Sequence, residues 1–80
     1  ANYEVDLVLE QRDSKIVAIE IKSSATIKPQ YTRGLLKLAQ NAKENFLQGY
    51  IFYGGSEFLP IFKDGYTFWC IPFGVLFGQR

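Results

Sequence analysis

Eighty residues with a net charge of +1, 48% hydrophobic and 16% aromatic content describe one small folded domain. Its apolar residues are spread along the chain, which excludes both a disordered segment and a membrane span. The chain has no histidine and a single cysteine, so a Ser-His-Asp triad, a zinc centre built from His or Cys and an internal disulfide are all excluded within it. A charge this close to balance gives no global attraction to nucleic acid, so any basic surface has to be local.

Val5 to Leu9 and Ile16 to Ile21 alternate in a way that predicts a β-hairpin. Val5, Leu7 and Leu9 form one row, and Val17, Ile19 and Ile21 form another, so these two rows are expected to share the buried face. Pairing odd with odd then places Glu4, Asp6, Glu20 and Lys22 together on the opposite face, with Asp6 across from Glu20 and Glu4 across from Lys22. That register requires an odd number of loop residues, or a bulge, around Arg12 to Ser14.

Ser23 to Pro29 reads as a polar connection, since Pro29 turns Lys28 away from helix. Leu35, Leu36, Leu38, Ala39, Ala42 and Phe46 recur at helical spacing, which predicts a helix over about Tyr31 to Asn45, closed by Gln48 and Gly49. The apolar run Tyr50 to Tyr53 is expected as a buried strand with Ile51 and Tyr53 on one face, and strand, helix, strand in sequence implies a crossover with parallel pairing. Phe58 to Phe62 and Tyr66 to Ile71 flank Lys63, Asp64 and Gly65 as a closing hairpin whose first arm, holding Pro60, is expected to be short or at an edge. Pro72 suits the first turn of a short terminal helix carrying Phe73, Val75, Leu76 and Phe77. Cys70, among Phe68, Trp69 and Ile71, reads as a small core residue, and its solitude suits a reducing cytoplasm. The expected class is therefore α/β: a mixed sheet with a hairpin, a crossover helix and further strands. The absence of methionine and the immediate strand-like start point to a piece of a longer protein.

An acid on one strand facing Glu-x-Lys on the next is the pattern of a metal-dependent phosphodiesterase. Asp6 opposite Glu20 is a like-charge pair, which a divalent cation between them would turn from repulsion to attraction. Oxygen ligands of this kind suit Mg²⁺ or Mn²⁺, with Lys22 orienting a water or stabilising transition-state charge. The competing explanation is a cross-strand ion pair between Glu4 and Lys22, with the remaining acids solvated.

The segments Glu4-Val5-Asp6-Leu7-Val8-Leu9-Glu10 and Ile16-Val17-Ala18-Ile19-Glu20-Ile21-Lys22-Ser23-Ser24, followed by Arg33-Gly34-Leu35, resemble the C-terminal domain of a large family of bacterial and archaeal AAA-type ATPases. Gln48 to Gly55 and the stretch ending in Trp69 to Phe73 carry the same likeness, which thus covers nearly the whole chain. That domain in turn resembles the PD-(D/E)XK nuclease superfamily. The resemblance implies a restriction-endonuclease-like core lacking its first helix and strand, and a single nuclease-like domain over residues 1–80 at the end of a longer ATPase. By position it gives Asp6 and Glu20 as metal-binding acids, Ile21 as the residue whose backbone carbonyl completes the coordination, and Lys22 as the catalytic lysine. Val5 stands where the superfamily's name has proline.

The expected function is Mg²⁺- or Mn²⁺-dependent hydrolysis of DNA by a cytoplasmic domain with no membrane association. Lys28, Arg33 and Lys37 are the candidate phosphate contacts, the last two sharing a helix face, against the plainer explanation of an ordinary solvated surface. No phosphate-binding Gly-x-x-x-x-Gly-Lys motif occurs, so an ATPase activity would belong to other sequence of the parent chain. The alternative is a non-catalytic regulatory module that binds DNA or protein for its ATPase, with Phe58, Phe62, Phe73 and Phe77 as anchors. Uncovered apolar surface and a free sheet edge predict self-association, most simply as a dimer.

Overall fold

The computed structural model describes residues 5–77. The first two strands are β1 (Leu7–Glu10) and β2 (Ile16–Ile21), antiparallel with Leu7 opposite Ile19 and Leu9 opposite Val17. Between them the Gln11 N–H donates to the Lys15 carbonyl and the Ser14 N–H to the Gln11 carbonyl, with Ser14 at φ 70°. Arg12, Asp13 and Ser14 thus form a three-residue turn whose last member is left-handed, a standard hairpin closure, and the odd loop that the register requires is met. Asp13 Oδ1 secures it by accepting the Lys15 N–H at 3.2 Å.

A 3₁₀ turn at Pro29–Thr32 leads into the helix α1 (Arg33–Ala42), and a second at Lys43–Asn45 leads out of it. One helix from Tyr31 to Asn45 is therefore not what forms. Lys43 turns to φ 55°, which ends the α-helical ladder before Phe46. Nor do Gln48 and Gly49 close the helix, because both lie inside β3 (Phe46–Tyr53). Gly49 is there for space: a Cβ on it would sit 2.7 Å from Cδ1 of the fully buried Phe68. A strand-interior glycine imitates a helix stop in sequence and answers a packing demand in structure.

The closing hairpin comprises β4 (Leu59–Lys63) and β5 (Tyr66–Pro72), joined by Asp64 and Gly65, both at positive φ as a tight hairpin turn requires. All five strands form one sheet in the order β1-β2-β3-β5-β4, with β2, β3 and β5 parallel and antiparallel strands on both edges. The chain is α/β with a mixed sheet, and Pro60 sits on an edge strand as expected. Pro72 ends β5 instead of opening an α-helix, and Phe73–Phe77 forms a 3₁₀ segment.

One face of the sheet carries the core. Leu35, Leu38 and Ala39 of α1 are buried with Ile16, Ala18, Ile51, Phe68 and Cys70 of the strands. Each large side chain so enclosed contributes about 1.5–3 kcal/mol. Burial raises the pKa of the Cys70 thiol, as befits a core residue with no charged neighbour to activate it.

This buried face is the even-numbered one on β2, which corrects the expected assignment. Ile16, Ala18 and Glu20 are turned towards α1, while Val17 and Ile19 are half-buried and Ile21 is exposed. The reason is that β2 is apolar on both sides, so alternation fixes the pairing without saying which side the helix covers. The strand registers place Leu7, Ile19, Tyr50 and Trp69 in one row across the other face, flanked by Leu9 and Val17 on one side and Ile21, Phe52 and Ile71 on the other. Leu7, Leu9, Ile21 and Trp69 are 40–51% exposed. Among the described residues no helix is long and apolar enough to cross a membrane.

Candidate functional site

Continuing the hairpin register by one residue sets Asp6 opposite Glu20. Both side chains lie on the face of the sheet that carries α1, where Asp6 is exposed and Glu20 is not. Glu20 is buried, and its carboxyl is held above the ordinary range. Burial is the largest cause; hydrogen bonding to Asp6 and its like charge add to the rise, and the Lys22 ammonium works against it. Lys22 Nζ lies 3.5 Å from Glu20 Oε2.

Asp6 is positioned by the backbone it faces. Its Oδ2 accepts the Ile21 N–H at 2.7 Å, standing in for a further rung of the β1–β2 ladder. The Lys22 N–H points the other way, donating to the Phe52 carbonyl at 2.8 Å. In extended backbone the N–H and C=O of one residue lie on the same side of the strand, so the Ile21 carbonyl faces the β1 side, where Asp6 is. Asp6, Glu20, the Ile21 carbonyl and Lys22 therefore gather at the end of β2. Among the described residues no cluster of three or more His, Cys, Asp or Glu side chains forms. Glu4 lies outside the described residues.

Tyr31, absent from the expected site residues, joins the site. Its ring lies beneath the Lys22 ammonium, 4.9 Å from Nζ to the centroid, so the lysine is held between an acid and an aromatic face. Nothing local in the sequence signals this; it depends on how the connection after β2 folds back. Its neighbour Thr32 is buried and donates from Oγ1 to the Pro29 carbonyl at 2.8 Å, a packing role within the 3₁₀ turn, with no side-chain cap on α1.

Lys28, Arg33 and Lys37 are exposed. Arg33 and Lys37 share a face of α1, and Lys28 precedes the 3₁₀ turn that leads to it. Of the aromatic anchors, Phe58 and Phe62 are 59% and 75% exposed and Phe73 is half-buried. The side chain of Phe77 lies outside the described residues.

Taken together these features define a small α/β domain with an acid pair and a lysine at the end of a central strand. A family model, Domain of unknown function (DUF4143), matches residues 1–74. The chain belongs to that family. No curated protein and no solved structure matches it.

Proposed function

We propose that the chain is a nuclease-like domain of the PD-(D/E)XK type, hydrolysing DNA with Mg²⁺ or Mn²⁺, and that it serves as the C-terminal domain of an AAA-type ATPase. The observation that carries this is the pairing of Asp6 with a buried Glu20, beside Lys22 at 3.5 Å. Two neighbouring carboxylates, one of them out of water, are unfavourable without a shared proton or cation, and the raised pKa of Glu20 expresses that. The donor set, two carboxylates and the Ile21 carbonyl, is all oxygen and small in number, which suits a hard cation that keeps several waters.

Asp6 and Glu20 would hold the cation from opposite strands, and the Ile21 carbonyl would complete the protein's share. Bound there, such a cation supplies Lewis-acid polarisation of a phosphoryl oxygen and activation of a water. Lys22, braced by Glu20 and Tyr31, is placed to stabilise the charge that develops on the phosphoryl group. Exposed Arg33 and Lys37 on one face of α1, with Lys28 before it, would take up backbone phosphates.

Titration calorimetry with Mn²⁺ tests the reading: wild type is expected to show one saturable site that disappears in Asp6→Ala. With Mg²⁺ and a mixed panel of DNA substrates, cleavage should vanish in Asp6→Ala, Glu20→Ala and Lys22→Ala alike. Undiminished cleavage in all three would assign it to another site or a contaminant.

A second reading has its own observation. The uncharged row Leu7, Ile19, Tyr50 and Trp69 leaves one sheet face open, as a regulatory module that docks on protein requires. On that reading Mn²⁺ gives no heat and the acid pair is structural.

A further inference from the structure

The parallel strands β2, β3 and β5 all end on one side of the sheet, the location where open α/β sheets bind ligands. At the ends of β3 and β5 lies a cavity of about 550 Å³ lined by Tyr53, Gly54, Gly55, Phe58, Pro72 and Phe73 among others. A second, of about 600 Å³, shares Tyr53 to Ser56 with it and extends along Ala25, Thr26 and Ile27. Both sizes fall within the range of small-molecule pockets, roughly 300–1,000 Å³. Neither cavity is lined by Asp6, Glu20 or Lys22.

Three placements tie these cavities to that site. The β2–β3 and β3–β5 registers put Glu20, Ile51, Tyr53, Cys70 and Pro72 on one face, so Tyr53 and Pro72 lie on the face that carries Glu20. Lys22 follows β2 at the same end, and the chain after it runs against the cavity wall, the Gly54 N–H donating to the Ser24 carbonyl at 2.9 Å. A Cβ on Gly54 would stand 2.6 Å from the Ser23 carbonyl, so glycine is what lets the wall close onto that segment. With neighbouring strands about 4.8 Å apart, the cavity begins roughly 5–10 Å from the strand carrying Glu20.

The wall chemistry is aromatic: Phe58 is exposed and Phe73 half-buried, with Tyr53 itself buried. Tyr53 is fixed by its hydroxyl donating to the Glu57 carbonyl at 2.6 Å, and Phe58 is left 59% exposed at the rim. An exposed aromatic face beside a cavity of this size is what an unpaired nucleobase uses, stacking on the ring. We infer that this cavity takes the base of a nucleotide flanking the phosphate held at Asp6, Glu20 and Lys22, and that the domain therefore prefers DNA with an unpaired stretch to continuous duplex. The inference rests on the nuclease-like reading for the position of the phosphate. A base paired inside a duplex cannot enter, so the cavity selects against it.

The test measures binding of a labelled single-stranded oligonucleotide, and of the blunt duplex of the same sequence, by fluorescence anisotropy with Ca²⁺ in place of Mg²⁺. Wild type should bind the single strand more tightly. Phe58→Ala should weaken that binding about tenfold and leave duplex binding within about twofold, the scale of one lost stacking contact. Phe58→Leu keeps the apolar volume without an aromatic face and should behave like the alanine variant; its exposed position leaves the core intact. Single-strand binding unchanged in both variants, an equal loss for both DNA forms, or no single-strand binding by wild type overturns the inference and leaves the cavity to an apolar peptide side chain. The Mn²⁺ heat keeps the two readings apart: stacking lost with Mn²⁺ binding intact counts for the base pocket, whereas Phe58-dependent single-strand binding without any Mn²⁺ heat keeps the pocket and removes the cation site.

Discussion

Replacing Glu20 by glutamine should stabilise the metal-free protein while abolishing its response to Mn²⁺. The substitution keeps the shape of a buried side chain and removes its charge. It relieves the like-charge pairing with Asp6, worth about 1 kcal/mol for residues directly opposite across two strands. It gives up the 3.5 Å contact with Lys22, which is one-third exposed, so that contact is worth roughly 0–1 kcal/mol. Relief of the desolvated charge, the largest cause of the raised pKa, tips the balance towards glutamine. A net gain of about 1 kcal/mol corresponds to about 4–8 °C in a domain of this size.

The pH dependence has a definite sign. Folding raises the Glu20 pKa above its ordinary 4.5, so the folded chain holds the proton more tightly than the unfolded chain does. The associated stability is fully present below pH 4.5 and is lost as pH rises through the folded value. The advantage of Glu20→Gln is accordingly greatest near neutrality and fades in acid. Mn²⁺ at a hundred times its Kd should stabilise wild type by about 2.7 kcal/mol, roughly 10 °C or more, and leave the variant where it was. Thermal melts followed by circular dichroism at pH 7, with and without Mn²⁺, read all of this. A metal-free variant that melts below wild type, or an equal Mn²⁺ shift in both proteins, would refute the reasoning.

Other substitutions test separate parts of the structure. Gly49→Ala drives a methyl to 2.7 Å from the buried Phe68 ring and should cost about 1–3 kcal/mol, read as a lower denaturant midpoint with an unchanged slope; a neutral result would mean that Phe68 can step aside. Tyr31→Leu removes the ring beneath Lys22, so DNA cleavage should fall several-fold, on the scale of an exposed cation–π contact of about 0.5–1 kcal/mol, while the Mn²⁺ heat stays as it was. Light scattering of the wild-type chain at micromolar concentration should report more than a monomer, and Leu7→Lys with Trp69→Lys should return it to one; a wild type that is already monomeric removes the open sheet face as a self-association surface.

The hairpin and its register were legible because two short apolar segments flank a three-residue turn of odd count, with Asp6 and Glu20 as the polar breaks in them. Which face would be buried was not legible, since Ile16 and Ala18 oppose Val17, Ile19 and Ile21 on the same strand and only the docking of α1 decides between them. The end of the helix was hidden for a related reason. Lys43 adopts a positive φ that its side chain does not announce, while Gly49, the residue with the expected signature, answers a demand made by Phe68 from another strand. Asp6, Glu20 and Lys22 could be grouped from spacing alone, because any odd-to-odd register brings them together. Tyr31 could not, because its place under Lys22 is set by the fold of the intervening connection.

The reversal of the buried face changes what the acid pair can do. On a solvated face Glu20 would be an ordinary carboxylate, screened and independent of Asp6. Turned towards α1 it is 7% exposed, and a charge in that position depends on what compensates it. It also shapes the direction of approach, because α1 packs over β2 and β3 on that face while Asp6 and Val8 of the edge strand β1 stay exposed. Lys22, the Ile21 carbonyl and the two cavities all lie where the parallel strands end, whereas the open apolar row from Leu7 to Trp69 lies on the other side of the sheet. A protein docked on that row would leave the acid pair accessible, so assembly through one face and chemistry at the other are compatible in a single domain.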